Sequence, residues 1–190
     1  MYEKYQTDAL VLGSRESGEN DRSFALYTSD FGLARARASA VRKESSRMRY
    51  ALSHYAFANL GLVRGKRGWR IAGAAAIRGV RGDTRGVAAF ARIAELVMRL
   101  VPGEEKNEYL FAALSEAHAA LMVPQCDAFG TIEIVCVARI LFALGYISVE
   151  ALQTALFSHT AYTGESLLEA ETMKDRLLSS INKAIAETQL

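Results

Sequence analysis

The residues with the plainest chemical potential are cations. Residues 1–85 carry 16 Lys and Arg against 8 Asp and Glu, a net of +8, and residues 86–190 carry the other 7 against 13, a net of −6, so the chain's +2 hides a sharp split. A positive excess confined to one half points that half at a polyanion. The cations also come in groups. Arg35 and Arg37 alternate along one segment, and Arg42, Lys43, Arg47 and Arg49 follow it. Arg64, Lys66, Arg67 and Arg70 form a third group, with Tyr50 and Trp69 nearby in sequence. Guanidinium groups donate paired hydrogen bonds to phosphate oxygens and can track a nucleic-acid backbone. The residues expected to bind DNA are Arg35, Arg37, Arg42, Lys43, Arg47, Arg49, Lys66 and Arg67. If six to eight cations contact phosphates, log K falls against log salt with a slope of roughly −4 to −6 on single strands. The basic half offers no recognition helix for the major groove, so binding is expected to ignore sequence. Aromatic rings beside such cations can stack on bases, but single aromatics in small barrels are more often core than stacking platform, and Trp69 and Tyr50 are expected in the core.

Other chemistry fails on spacing. Gly61-Leu-Val-Arg-Gly65-Lys66-Arg67 is one residue too short for a phosphate loop and lacks the hydroxyl that would hold magnesium. No metalloprotease, nucleophile-elbow or dinucleotide fingerprint occurs. Cys126 and Cys136 are the only cysteines; with His54, His118 and His159 they show no ligand-like spacing, so no metal and no cofactor are expected. The two thiols are expected to be small buried hydrophobes. His118 reads as a packing or surface histidine, and Glu19 and Asp21 as turn residues pairing locally with Arg22. No catalytic residue is singled out, and the chain is read as a non-enzyme.

The elements that carry these residues fall into two classes. With 51% hydrophobic and 23% charged residues, the 190-residue chain has the balance of a soluble globular protein. Its N-terminus is too polar for a secretory signal, and its longest apolar run, Ile134 to Leu144, is broken by Arg139, so a cytoplasmic location is expected. In the first half, Ala9–Leu12, Ser23–Thr28, Leu33–Ser39, Tyr55–Val63 and Trp69–Ala75 read as strands, with a hairpin turn at Ser29–Gly32 and another at Arg64–Gly68. Ten of the 14 glycines lie at or before Gly86. Five short strands with glycine-rich turns predict a small barrel of the oligonucleotide-binding (OB) kind. On Leu33–Ser39, Arg35 and Arg37 share one face and the alanines the other. The second half takes helical spacing over Val87–Val101, Asn107–Met122, Gly130–Leu144 and Ser148–Phe157. A last helix runs from a Ser166/Glu169 capping box to about Thr188. Asp83 or Thr84 could cap the first of these. The architecture is α+β: a five-stranded OB barrel at 1–80, then an all-α domain at 81–190, with the boundary near Gly79–Gly86.

The order of several motifs resembles the bacterial recombination mediator RecO. They are Thr7-Asp-Ala-Leu-Val-Leu12, Gly18-Glu-Asn-Asp-Arg22, Thr28-x-x-Phe-Gly-Leu33, Arg42-Lys-x-Ser-Ser-Arg47, Glu104-Glu-Lys-Asn-Glu108 and Ala138 through Tyr146. The resemblance implies an OB domain followed by a helical one. It also implies binding of single- and double-stranded DNA, annealing of complementary strands, RecA loading with RecR at gaps coated by single-strand-binding protein (SSB), and contact with the SSB C-terminal tail. A nucleoid-associated, cytoplasmic repair protein is what such a chain would be. The sequence is shorter than many members and lacks the four-cysteine zinc module that some carry. For an SSB tail, Arg139 on the most apolar helix is the candidate cation for the terminal carboxylate, with an ion pair to Glu133 as the alternative. Two rival functions share parts of this pattern: an RNA-binding OB module, and a protein adaptor acting through the acidic helical half.

Overall fold

The computed structural model describes residues 3–41, 46–81, 83–123, 127–148, 152 and 154–188. The alternating segments of the basic half become β1 (Lys4–Glu16), β2 (Arg22–Thr28), β3 (Gly32–Ala38), β4 (Phe57–Gly65) and β5 (Gly68–Arg78). They close a barrel in the order β1-β2-β3-β5-β4. Neighbours are antiparallel except β3 and β5, which run parallel and place Ala36 beside Trp69 and Arg37 beside Arg70. β1 serves two neighbours, and its register against β2 shifts between Val11 and Gly13. A bulge of this kind bends a strand, as closure requires.

The barrel core follows from period-two patterning. Ala34, Ala36 and Ala38 point inward and are fully buried, while Arg35 and Arg37 between them are exposed. Phe24, Leu26, Leu60, Leu62, Trp69 and Ile71 fill the space that the small alanines leave. Each large apolar side chain buried in this way contributes roughly 1.5–3 kcal/mol. Met48 and Leu52, from the segment joining β3 to β4, pack into the same cluster.

The β2–β3 turn is fixed by side chains. Thr28 Oγ1 accepts from Phe31 N at 2.9 Å and donates to the Gly32 carbonyl at 3.1 Å. Gly32 has φ +63°, and a Cβ there would collide with the Glu105 backbone, so glycine is needed twice over. Next to it, Thr7 Oγ1 and Ser29 Oγ donate to Asp30 Oδ2 at 2.7 and 2.8 Å. The Thr7 bond first, and then the Ser29 bond, hold the Asp30 carboxyl below the usual aspartate range. A depressed folded-state value means that this stabilisation is complete above the ordinary aspartate pKa and disappears as pH falls through the folded value. Asp30→Asn is therefore expected to flatten the acid limb of barrel stability against pH. Trp69, the chain's single tryptophan and a core residue, supplies the fluorescence signal; an unchanged acid limb would contradict this assignment.

The chain divides into two compact units, 1–80 together with 100–107, and 81–99 together with 108–190. The return of 100–107 to the barrel unit is a tertiary feature that linear patterning did not show. Leu33 N donates to the Gly103 carbonyl at 3.2 Å.

The second unit holds α1 (Thr84–Leu100), α2 (Glu108–Leu121), α3 (Phe129–Ala143), a 3-10 turn at Ala155–Phe157, α4 (Gly164–Thr172) and α5 (Lys174–Glu187). Asp83 caps α1, its Oδ1 accepting from Arg85 N at 2.8 Å. The helix expected from Ser148 falls largely outside the described residues, and its end is the 3-10 turn. The single last helix expected from Ser166 is two helices broken at Met173, and the break lets both pack on α3. The capping box is also corrected. Thr163 is the cap, accepting from Ser166 N at 3.2 Å, whereas Glu169 is drawn to Thr154 Oγ1 at 2.6 Å and Ala155 N at 3.3 Å. His118 is buried edge-on against Phe90, their centroids 5.0 Å apart. Cys136 is buried and its thiol pKa is pushed up to about 12, chiefly by desolvation; Cys126 lies outside the described residues. Among the described residues, no helix is long and apolar enough to cross a membrane.

Candidate nucleic-acid interface

Barrel closure decides which cations meet. The parallel pairing of β3 with β5 brings Arg37 and Arg70 side by side on the outer surface. The β4–β5 hairpin, closed by Gly65 opposite Gly68, projects Lys66 and Arg67 from its two-residue tip. Gly68 takes φ +94°, as a tight turn of this kind demands. Together these four cations line a concavity of about 410 Å³. Ser39 and one edge of Trp69 complete much of its wall. Asp21 is the acidic lining residue, and its Oδ1 accepts from Ala40 N at 2.9 Å. Ala40 holds φ +56°, so the carboxylate is pinning the turn that leads away from β3.

Three of the eight residues singled out from sequence, Arg37, Lys66 and Arg67, line this concavity. Arg35 is exposed two residues earlier on the same face of β3. Arg47 and Arg49 are exposed on the segment after β3. Arg42 and Lys43 lie outside the described residues. Arg70 completes the lining although sequence reading placed it only in a basic run. The missing signal was its parallel register with Arg37, which local spacing does not encode.

Arg64 is paired with Glu104 at 3.1 Å, and its guanidinium lies 4.9 Å from the centre of the Trp69 ring. Trp69 is a core residue, as expected, packed against Tyr5 and Phe31; its Nε1 finds no acceptor among the described residues. Tyr50 reverses its expectation. It is 78% exposed, because Met48 and Leu52 take the inward positions of its turn.

In the helical unit, Arg139 is fully buried on α3. Its Nε and two terminal nitrogens donate to the carbonyls of Leu156, Thr160 and Ala161 at 2.9, 2.7 and 3.2 Å. The guanidinium stacks 4.7 Å from the Tyr162 ring centre. A peptide carboxylate could reach it only by displacing those carbonyls. The Glu133 alternative is also replaced, since Glu133 binds Arg92 through two contacts of 2.6 Å.

Residues 1–78 match the family model "Recombination protein O N terminal". The chain is similar to a protein from Pelotomaculum thermopropionicum named DNA repair protein RecO, 33% identical over 113 residues, covering 58% of this chain and 44% of that one. A Nostoc protein of the same name is 28% identical over 136 residues, covering 70% and 46%. One from Desulfitobacterium hafniense is 42% identical over 62 residues, covering 33% and 23%. The chain thus spans less than half the length of these curated relatives.

Proposed function

We propose that this chain, whose residues 1–78 match the RecO N-terminal family model, is a DNA-repair and recombination mediator of that family whose basic barrel face binds single- and double-stranded DNA without regard to sequence and anneals complementary strands. The observation that carries this reading is the convergence of Arg37, Lys66, Arg67 and Arg70 on one concavity. Two complementary strands repel each other through their phosphates. A cationic concavity neutralises part of that charge, and contacts confined to the backbone leave base edges free to find their partners. No nucleotide hydrolysis enters this scheme. Arg35, Arg47 and Arg49 extend the cationic surface as secondary phosphate contacts; Arg42 and Lys43 are offered as further phosphate contacts on their place in the basic run of the sequence alone.

The match to that family supports the remaining parts of the proposal: assistance to RecA loading with RecR at SSB-coated gaps, and contact with the SSB tail, in the cytoplasm at the nucleoid. Arg139 is not offered as the anchor of that tail.

Mixing the full chain with two complementary labelled strands at low salt, without ATP, is expected to accelerate duplex formation several-fold over the spontaneous rate. Failure to accelerate would reject annealing. A clear preference for an RNA strand over the matching DNA would favour the RNA-binding alternative, because only RNA offers the 2′-hydroxyl.

A further inference from the structure

Tyr50 has the highest exposure of any large hydrophobic side chain among the described residues, and its position is built rather than loose. The segment carrying it is a run of hydrogen-bonded turns. Arg49 N donates to Ser46 O at 3.3 Å and Leu52 N to Met48 O at 3.0 Å. Ser53 donates to the Tyr50 carbonyl through both N and Oγ, at 3.4 and 3.1 Å. Met48 and Leu52 anchor the segment in the barrel core. Its far end is tied to β1 by Val11 N to Ala56 O at 2.9 Å and Tyr55 N to Val11 O at 2.8 Å. The ring therefore stands outward on a fixed support, which lowers the ordering cost of any contact it makes.

Its surroundings select the contact. Arg49 sits 6.0 Å from the ring centre, and Arg47 is exposed on the same segment. No Asp or Glu occurs in the sequence between Glu44 and Asp83. Earlier in the chain, just after β3, Ser39 lines the cationic concavity and the lining residue Asp21 holds Ala40. An exposed aromatic face set among arginines, in a stretch without acids, matches the pairing of base stacking with phosphate contacts found in single-strand binders.

We infer that Tyr50 is a stacking platform for one unpaired nucleobase, with Arg47 and Arg49 holding the flanking phosphates, and that it sets the preference of this barrel for single strands over duplex. The inference rests on the DNA-binding reading above. A duplex keeps its base faces inside its own stack and offers none to the tyrosine. A base held by its face keeps its pairing edge open, so the same contact that recruits a single strand presents it for annealing.

The test measures binding of the full chain and of Tyr50→Ala and Tyr50→Phe to three labelled probes: a single strand, an abasic strand of equal length, and the duplex. Tyr50→Ala is expected to lose about tenfold or more in affinity for the base-bearing strand, with abasic and duplex binding unchanged, and Tyr50→Phe is expected to retain wild-type values. Unchanged single-strand affinity in Tyr50→Ala would overturn the inference while leaving DNA binding intact. Equal losses on base-bearing and abasic strands would overturn it too, because the effect would then be on the fold or the phosphate contacts. Absence of wild-type binding to any probe at low salt would remove the DNA-binding reading itself, and the inference with it.

Discussion

Reversing Arg37 and Arg70 together to Glu is expected to lower single-strand affinity by about 100-fold or more at low salt. Each cation that meets a phosphate contributes a charge-assisted hydrogen bond with a net value of roughly 1.5–3 kcal/mol. Losing two such bonds costs about 3 kcal/mol or more, and about 1.4 kcal/mol is a factor of ten. The reversal also puts two carboxylates beside Asp21 on the wall of the concavity. Both arginines are exposed on the outer surface of their strands, so the barrel is expected to survive, with Trp69 fluorescence reporting that it does. Reversing Lys174 and Arg176 in α5 changes net charge equally and serves as the control. Comparable losses in the two variants would mean that only the overall charge mattered, and that no defined site exists on the barrel.

The second large effect is on stability. Arg139→Leu is expected to destabilise the helical unit by about 3 kcal/mol or more, the summed cost of leaving three carbonyl acceptors without their donor. The substitution is apolar and close in residue volume, although the leucine side chain is several bonds shorter than that of arginine. What it removes is the donor set for the carbonyls of Leu156, Thr160 and Ala161, and a buried acceptor left unsatisfied costs roughly 1–3 kcal/mol. Arg139→Lys keeps the charge but cannot present a planar fork to three carbonyls, so it is expected to fall nearer to Leu than to wild type. Denaturant unfolding followed by far-UV circular dichroism reads this unit, and Trp69 fluorescence reads the barrel. DNA affinity, measured where the chain remains folded, is expected to stay at the wild-type value. A stable Arg139→Leu variant would contradict the structural role given to this guanidinium.

These two sites mark where sequence reading succeeded and where it stopped. The alternation from Leu33 to Ser39 was legible because a strand has period two, and alanine next to arginine leaves one choice of inward face. The five strands and the first three helices were legible for the same kind of reason, each carrying its own period and stop signals. Arg70 beside Arg37 was not, because a parallel register between β3 and β5 is imposed by barrel closure rather than by either strand. Glu104 against Arg64 joins residues 40 positions apart, a contact that exists only because 100–107 returns to the barrel unit. Arg139 looks the same in sequence whether it faces a groove or a nest of carbonyls. Tyr50 was assigned to the core on a general tendency of aromatics, but its direction is set by Met48 and Leu52, which occupy the inward positions of an irregular turn. Glu169 carries the spacing of a capping box, yet a buried hydroxyl on Thr154 competes for it and wins.

The central claim is that cations from β3, β5 and the β4–β5 tip act as one surface on the phosphate chain. The most direct measurement of it is the salt dependence of single-strand binding by the full chain, in wild type and in neutral variants. Four phosphate contacts give a slope of log K against log salt of about −3 on single strands, and each lost contact reduces it by about 0.7. Wild type is expected at about −3 or steeper, with Arg37→Gln, Arg70→Gln and Lys66→Gln each removing about 0.7 and the double variants adding. A wild-type slope near zero, or single variants that leave the slope untouched, would contradict the claim that these side chains grip DNA as one site.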